Sequence, residues 1–136
     1  MSTHNNFIPI NIAIVTISDT RILDNDKSGD VLEDRVLKSN HKIISRDIVK
    51  DNFEKIYDLF SNLINNEKID VIISTGGTGL TGRDITPEVM KKLFEKTIDG
   101  FGEMFRWLSY SKIGTSSLQS RALAGVSNGT YIFCLP

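Results

Sequence analysis

One stretch of the chain runs Val71-Ile72-Ile73-Ser74-Thr75-Gly76-Gly77-Thr78-Gly79-Leu80-Thr81-Gly82-Arg83-Asp84-Ile85-Thr86-Pro87-Glu88. Its apolar start is typical of a buried strand, and Thr-Pro-Glu is typical of the first turn of a helix. The loop between them holds four glycines in seven residues. Because glycine has no Cβ, a ligand can approach the backbone N–H groups of such a loop. The stretch therefore predicts an α/β fold with a phosphate-binding loop at the end of a strand.

Two common nucleotide-binding motifs match this loop only in part. Gly77, Gly79 and Gly82 have the spacing of the dinucleotide fingerprint, but that motif requires a helix at the third glycine and an acidic residue ending the next strand. Pro87 delays the helix, and no strand precedes Asp99, the nearest acidic residue at the required distance. The P-loop requires Lys followed by Ser or Thr after its last glycine, where this chain has Arg83 and Asp84.

Length and composition bound the possible functions. A chain of 136 residues is long enough for one domain with a substantial core. The formal net charge of −1 gives no basic surface, so we expect no nucleic-acid partner. No apolar run is long enough to span a bilayer and no signal peptide is apparent, so we expect no membrane contact and a cytoplasmic location. Cys134, the only cysteine, lies in an apolar run and is expected to be buried.

The rest of the chain alternates between strand and helix patterns. Strands are predicted at residues 10–17, 42–49 and 70–74, and a hairpin around Asn128-Gly129 joins 122–126 to 130–135. Helices are predicted between these strands and at 101–110. This order is typical of a three-layer αβα sandwich with a mostly parallel sheet.

Three local details of the helices are also predicted. Residues 24–29 form a polar, mobile segment, and the helix after it turns Val31, Leu32, Val36 and Leu37 toward the core. Asp51 caps the following helix, with Glu54 completing a capping box. Thr86 caps the helix that begins at Pro87.

Acidic residues follow all three early strands. Asp19, Asp51 and Asp84 should converge, because ligands of such sheets bind at the carboxyl ends of the strands. Carboxylates gathered there favour a cation, and Mg²⁺ prefers one or two carboxylates together with substrate phosphates. Asp51 and Asp84 suit this role best. Two alternatives stay open, namely that Asp51 is only a helix cap and that Asp19 is only a turn residue.

Several blocks of the sequence together resemble a known family. They are 15–20 (Val-Thr-Ile-Ser-Asp-Thr), 75–79 (Thr-Gly-Gly-Thr-Gly), 83–88 (Arg-Asp-Ile-Thr-Pro-Glu) and 100–106 (Gly-Phe-Gly-Glu-Met-Phe-Arg). In order and spacing they resemble the MoaB/MogA family of molybdenum cofactor biosynthesis proteins, which is related to the G domain of gephyrin. Segments 108–109 and 113–122 resemble the MoaB branch in particular.

The resemblance implies an Mg-ATP-dependent molybdopterin adenylyltransferase, a nucleotidyltransferase with ATP and molybdopterin as substrates. It implies that Asp51 and Asp84 are the catalytic, metal-binding carboxylates. The remaining implied ligand-binding residues contact the nucleotide or the pterin, with Arg121 as a phosphate clamp; they are Ser18, Asp19, Gly76, Gly77, Thr78, Gly79, Gly102, Glu103, Ser120 and Arg121.

The resemblance also bears on the extent and assembly of the chain. It implies one molybdopterin-binding domain over residues 1–136, with a flexible tail at 1–9. It implies a C-terminal truncation, because the family continues past Pro136 with a loop and a helix. Homotrimers or hexamers are implied as well. A non-catalytic molybdopterin carrier of the same pathway stays open as the alternative function.

Overall fold

The computed structural model describes residues 6–136. Its elements in chain order are β1 (Asn11–Ile17), α1 (Lys27–Lys38), β2 (Lys42–Val49), α2 (Phe53–Ile64), β3 (Val71–Thr75), α3 (Thr86–Leu93), β4 (Lys96–Thr97), α4 (Asp99–Ile113), β5 (Leu123–Ser127) and β6 (Thr130–Leu135). Short 3-10 turns cover Leu23–Asn25 and Gly114–Gln119.

The six strands form one mixed sheet in the order β2-β1-β3-β6-β5-β4. Strands β1, β2, β3 and β6 run parallel, while β5 and β4 run antiparallel to their neighbours. The hairpin predicted at Asn128-Gly129 joins β5 to β6, and both residues have the positive φ that such a turn requires. The α/β class with a mostly parallel sheet is confirmed.

Helices cover both faces of the sheet, as the sequence predicts. On one face α2 and α3 pack on the strands, and Phe60, Ile56 and Met90 are fully buried there. On the other face Val36 of α1 packs on Ile12 and Ile14, and Phe101 of α4 contacts Phe133 with ring centroids 5.2 Å apart. An apolar groove stays open on this second face between α1 and α4. Cys134 is buried under α2 and α3, and burial raises its pKa to about 12.

Two details differ from the predictions for α1 and for the segment before it. Val31 and Leu37 are about half exposed, so only Leu32 and Val36 of the predicted stripe face the sheet. The segment predicted to be mobile contains a 3-10 turn and Asp26, which is 1 % exposed. Asp26 caps α1 by accepting a hydrogen bond from the Gly29 N–H, and it also bonds Thr16 and Arg46. This segment is therefore tied to the core by a buried carboxylate.

Two predicted helix caps are displaced by one residue. Asn52, not Asp51, caps α2, and its Oδ1 accepts the Lys55 N–H at 3.0 Å. At α3 the cap position is Ile85, so Thr86 is the first helical residue and Pro87 the second. The shift frees both the Asp51 carboxylate and the Thr86 hydroxyl for contacts with the glycine loop.

The structure describes only part of the predicted N-terminal tail, since residues 1–5 lie outside the described range. Within that range, the Phe7 ring lies 5.2 Å from the His41 ring, and the Ile10 N–H donates to His41 Nδ1 at 3.1 Å. These contacts attach residues 7–10 to the turn before β2.

Candidate functional site

The glycine loop follows β3 at the carboxyl end of the parallel strands. Gly76 and Gly77 have φ values of +106° and +73°, a region that residues with a side chain rarely occupy. A Cβ on Gly76 would lie 2.2 Å from the backbone oxygen of Ile17, and a Cβ on Gly77 would lie 2.2 Å from Thr86 Oγ1. Both positions therefore require glycine for conformation and for space.

Two neighbouring elements hold the start of the loop. The Gly76 N–H donates to Leu135 O at 2.9 Å, which connects the loop to β6. Thr86, at the start of α3, donates its hydroxyl to Gly76 O and its N–H to Gly77 O, each at 3.1 Å. The loop is thus fixed before any ligand binds, and fixed donors and dipoles are what an anion site needs.

The later glycines of the loop have different surroundings. A Cβ on Gly79 would lie 2.7 Å from Asp84 Oδ2, whereas a Cβ on Gly82 would meet nothing within 4 Å. The third glycine of a dinucleotide fingerprint provides close packing of helix and strand. Gly82 makes no such packing, and α3 begins only at Thr86, so the structure agrees with rejecting that motif. The prediction that no strand precedes Asp99 was wrong, because the two-residue β4 (Lys96–Thr97) lies just before it.

Asp84 closes the loop on itself. Its Oδ2 accepts hydrogen bonds from the Thr81 hydroxyl at 2.7 Å and from the Thr81 N–H at 3.0 Å. The hydroxyl bond lowers the pKa of Asp84, and together with backbone bonds it outweighs the opposing effect of burial. Asp84 is therefore an ionised carboxylate with a fixed position.

The surroundings of Asp51 destabilise the ionised form of its carboxylate. Burial raises its pKa, and the negative charges of Asp19 and Asp84 raise it further. The backbone N–H of Asp51 donates to Asp19 Oδ1 at 3.0 Å, which joins the loops after β1 and β2. The three predicted carboxylates thus lie close enough for the charges of Asp19 and Asp84 to raise the pKa of Asp51. Residues 6–136 nevertheless contain no group of three or more His, Cys, Asp or Glu side chains already arranged to hold a metal ion.

Arg83 supplies a positive charge to this group. Its guanidinium forms an ion pair with Asp19 and opposes the rise in the pKa of Asp51. The Arg83 side chain is 78 % exposed, so the pair lies at the mouth of the site.

Ser18 directly follows β1 and lies beside a cavity of about 180 Å³. Its Oγ accepts the N–H groups of Thr20 and Arg21, so the residue shapes the turn after the strand. The cavity is lined by the carboxyl ends of β1 and β3 and by the start of α1, including Thr16, Ser18, Asp26, Thr75, Gly76 and Pro136.

Segment 120–122 lies along the other side of the loop. The Arg121 N–H donates to the oxygen of the buried Thr78 at 2.9 Å, and the Arg121 guanidinium donates to Gly79 O, Asp84 O and Glu88. Ser120 Oγ accepts the Ala122 N–H at 3.3 Å. Ser120 and Arg121 therefore come next to Thr78 and Gly79.

Gly102 and Glu103 lie on α4. Gly102 is buried where α4 meets the segment before β5, and a Cβ there would lie 2.8 Å from Ala122 O. Glu103 is exposed in a shallow depression lined by Gly100, Glu103, Met104 and Trp107. The lining of this depression includes no residue of the glycine loop and none of the three carboxylates.

Four residues of the site were not singled out from the sequence. Thr81, Thr86 and Glu88 contact site residues or the loop backbone, and Arg83 was noted only as part of a charged pair. The available signal was their position within the motif at 75–88. Nothing local in the sequence indicates that Glu88 pairs with Arg121, which is 33 residues away.

Fold and site together define an α/β domain with a rigid glycine loop and carboxylates at the carboxyl ends of its parallel strands. A family model described as a probable molybdopterin binding domain matches residues 13–136. The chain is 46 % identical over 130 residues to molybdenum cofactor biosynthesis protein B of Escherichia coli K12, covering 96 % of this chain and 76 % of that protein. It is also 46 % identical over 132 residues to the protein of the same name from Staphylococcus epidermidis, covering 94 % and 75 % of the two chains.

Solved structures agree with these relatives. A crystal structure of molybdenum cofactor biosynthesis protein B superposes with a TM-score of 0.91 at 42 % identity, covering 95 % of this chain and 81 % of that one. The tungsten cofactor synthesizing protein MoaB of Pyrococcus furiosus superposes with a TM-score of 0.82 at 34 % identity, covering 94 % and 82 %. The chain belongs to the MoaB/MogA family of molybdenum cofactor biosynthesis proteins.

Proposed function

We propose that this protein is a molybdopterin adenylyltransferase that uses Mg-ATP. The observation that carries the proposal is the contact between the glycine loop and two carboxylates. A Cβ added to Gly77 would lie 3.5 Å from Asp51 Oδ1, and one added to Gly79 would lie 2.7 Å from Asp84 Oδ2, so both carboxylates lie against the loop backbone. A phosphate group over this loop would meet backbone N–H groups and carboxylates together, which is the arrangement that a metal-bound nucleotide requires.

The proposed reaction forms one bond and breaks one. An oxygen of the molybdopterin phosphate attacks the α-phosphorus of ATP, and the bond from that phosphorus to the bridging oxygen of the β-phosphate breaks. The products are adenylylated molybdopterin and pyrophosphate. A phosphate nucleophile is ionised at neutral pH, so no general base is needed. Such chemistry depends mainly on positioning and charge neutralisation, which is consistent with a site built from backbone amides, carboxylates and arginines.

Asp51 and Asp84 would hold the magnesium ion. The fit rests on Asp51, whose pKa is raised by burial and by Asp19 and Asp84, because a cation between these groups would relieve that repulsion. When bound, Mg²⁺ neutralises charge that develops on the transferring phosphate. Ser18, Asp19, Gly76, Gly77, Thr78 and Gly79 would hold the nucleotide phosphates, while Gly102, Glu103 and Ser120 would lie toward the pterin.

The test is pyrophosphate release by the purified protein given Mg-ATP, with and without molybdopterin. We expect release that depends on molybdopterin. Asp84→Asn should lower turnover at least about a hundredfold while molybdopterin binding stays within about tenfold, because the loop keeps an acceptor for Thr81 but loses a metal ligand. Turnover by the Asn variant at the wild-type rate would remove Asp84 from the mechanism.

A non-catalytic molybdopterin carrier is the second candidate function. The observation that favours it is that Asp84 Oδ2 is already bonded twice by Thr81 and that Asp19 is paired with Arg83. Molybdopterin binding without pyrophosphate release, and without any effect of Mg²⁺ on binding, would support the carrier.

We also propose that the chain assembles into homotrimers or hexamers in the cytoplasm. The outer face of α4 exposes large apolar side chains that an assembly would bury, including Met104, Trp107, Leu108, Tyr110 and Ile113. No helix of residues 6–136 is long and apolar enough to cross a membrane. Light scattering after size-exclusion chromatography would give the mass, and a mass of about 15 kDa would contradict the assembly.

A further inference from the structure

The guanidinium of Arg121 forms a bridge across the tip of the glycine loop. Its Nε donates to Gly79 O at 2.7 Å, and its Nη2 donates to Asp84 O at 2.6 Å. These two carbonyls bracket the loop tip, residues 80–83. Arg121 itself lies just before β5, so the bridge connects the loop tip to a distant part of the chain.

Glu88 fixes the orientation of this guanidinium. Its Oε2 accepts Arg121 Nη1 at 2.6 Å, and the hydrogen bond from Arg121 lowers the pKa of Glu88. Three of the five guanidinium N–H groups are therefore used within the protein. The Arg121 N–H also donates to Thr78 O, a backbone bond that does not depend on the side chain.

The bridge determines where the carboxylate of Asp84 points. The carbonyl of Asp84 is held by Arg121, its N–H donates to Thr81 O at 3.0 Å, and its carboxylate accepts both Thr81 donors. Thr81 is exposed and lies inside the bracketed tip. Apart from these local bonds, the tip is held to the body of the protein through Arg121 and through the exposed Arg83–Asp19 pair.

We propose that Arg121 is a positioning residue that holds the loop tip, and with it the Asp84 carboxylate, in the geometry needed for catalysis. In this role Arg121 acts through Gly79, Asp84 and Glu88 and is not the phosphate ligand that the family resemblance implies. The catalytic consequence rests on the proposed adenylyl transfer, whereas the effect on the loop does not.

The loop itself provides the first test. Arg121→Lys keeps the charge but loses the planar fork that reaches two carbonyls. We expect the amide hydrogens of Thr81 and Asp84 to exchange with deuterium about tenfold faster in this variant, with no ligand present. Amides of β1, such as that of Val15, should exchange at the wild-type rate. Arg35→Lys, at an exposed position on α1, is the matched control and should change neither set of amides.

Glu88→Gln provides a second variant that keeps Arg121 intact. It removes the charged partner of Nη1, so the exchange of Thr81 and Asp84 should rise in the same direction by a smaller factor. Unchanged exchange at these amides in both variants would overturn the proposal.

Catalysis provides the second test. At saturating Mg-ATP, Arg121→Lys should lower kcat about a hundredfold and leave KM for ATP within about threefold, because the site is misplaced rather than missing. Free guanidinium ion should restore part of the activity of Arg121→Ala, and ammonium ion should not. A higher KM for ATP with an unchanged kcat and unchanged loop exchange would make Arg121 a phosphate ligand and overturn the proposal. If the wild-type protein releases no pyrophosphate, the proposed function fails, and the exchange experiment alone decides the role of Arg121 at the loop.

Discussion

Gly76 shows how strictly a single position can be constrained. Its φ of +106° is unfavourable for any residue with a Cβ, and that Cβ would meet the Ile17 carbonyl at 2.2 Å. We expect Gly76→Ala to lower the free energy of unfolding by about 3 kcal/mol, combining backbone strain with the steric clash. Gly82→Ala is the matched control in the same loop, because its Cβ would have open space; it should change stability by less than about 0.5 kcal/mol. Urea unfolding of both variants measures the difference, and equal losses would contradict the stated contact.

In contrast to Gly76→Ala, substitution of Asp51 is expected to stabilise the protein, because the charge of Asp51 is unfavourable in the folded state. Burial and the charges of Asp19 and Asp84 raise its pKa above the ordinary value of 3.8. At pH 7 Asp51→Asn should therefore raise the free energy of unfolding by about 0.5–1 kcal/mol while abolishing turnover. A destabilised variant would show that the carboxylate makes a favourable contact in the folded state.

The stabilisation by Asp51→Asn should depend on pH, because the pKa of Asp51 is raised in the folded protein. Above the folded-state pKa of Asp51 the carboxylate is ionised in both states, so the stabilisation by Asn is complete. As the pH falls through that pKa the folded protein takes up the proton first, and below 3.8 the gain disappears. Urea unfolding of both proteins at pH 7 and pH 3 checks the trend, and a gain that persists at pH 3 would have another origin.

At the scale of one helix, the start of α2 assigns different roles to two adjacent residues. Asn52 Oδ1 caps the helix by accepting the Lys55 N–H, and Asp51 makes no capping bond. Asn52→Ala should lower the free energy of unfolding by about 1 kcal/mol, because a backbone donor loses its partner. Asp51→Ala serves as the comparison for the neighbouring position, because Asn would cap a helix as well as Asp does. If the substitution at Asp51 lowers the free energy of unfolding and Asn52→Ala does not, Asp51 is the helix cap, as predicted from the sequence.

Elements with a long regular pattern could be predicted from the sequence, and those defined by contacts could not. Strand β2 has the predicted bounds, and α2 buries its apolar residues at the three- and four-residue spacing of an amphipathic helix, namely Ile56, Phe60, Leu63 and Ile64. The prediction for the inner face of α1 was wrong for Val31 and Leu37. Arg46 on β2 pairs with Asp30 and Glu33, and these pairs help to set which side of the helix faces the sheet. The two-residue β4 escaped prediction, since it is defined only by pairing with β5.

For the whole molecule, topology made part of the site predictable. Because β1, β2 and β3 are parallel neighbours, the loops that carry Asp19, Asp51 and Asp84 all follow the carboxyl ends of the strands, on the same side of the sheet. The partners of these groups could not be predicted, since the Arg121 bridge to Asp84 and the Arg83–Asp19 pair join residues more than 30 positions apart. Convergence of loops follows from strand order, whereas individual hydrogen bonds depend on packing that no local pattern encodes.

The buried ion pair of Asp26 and Arg46 makes the stability of the whole molecule sensitive to acid. Burial alone would raise the pKa of Asp26, but hydrogen bonds from Thr16, Gly29 and Arg46 outweigh it and lower the pKa below 3.8. Asp26 therefore contributes stability that is complete above pH 3.8 and is lost as the pH falls through its folded-state pKa. The same carboxylate joins β1, α1 and β2, so its protonation loosens three elements at once.

Asp26→Asn tests this link between one carboxylate and the fold. The Asn Oδ1 can still cap α1, but the amide nitrogen takes the place of Oδ2, which accepts from Thr16 and Arg46. The variant therefore removes the charge together with both of these hydrogen bonds, and we expect the free energy of unfolding at pH 7 to fall by about 2–3 kcal/mol. Arg46 keeps Asp30 and Glu33 as partners, which limits the loss. Asp34→Asn, which breaks an exposed pair with Lys38, is the control and should cost less than about 0.5 kcal/mol. The difference between wild type and Asp26→Asn should shrink as the pH falls below 3.8, because the wild-type carboxylate then loses its own charge. A difference that stays constant down to pH 2 would mean that side-chain shape, and not charge, holds these elements together.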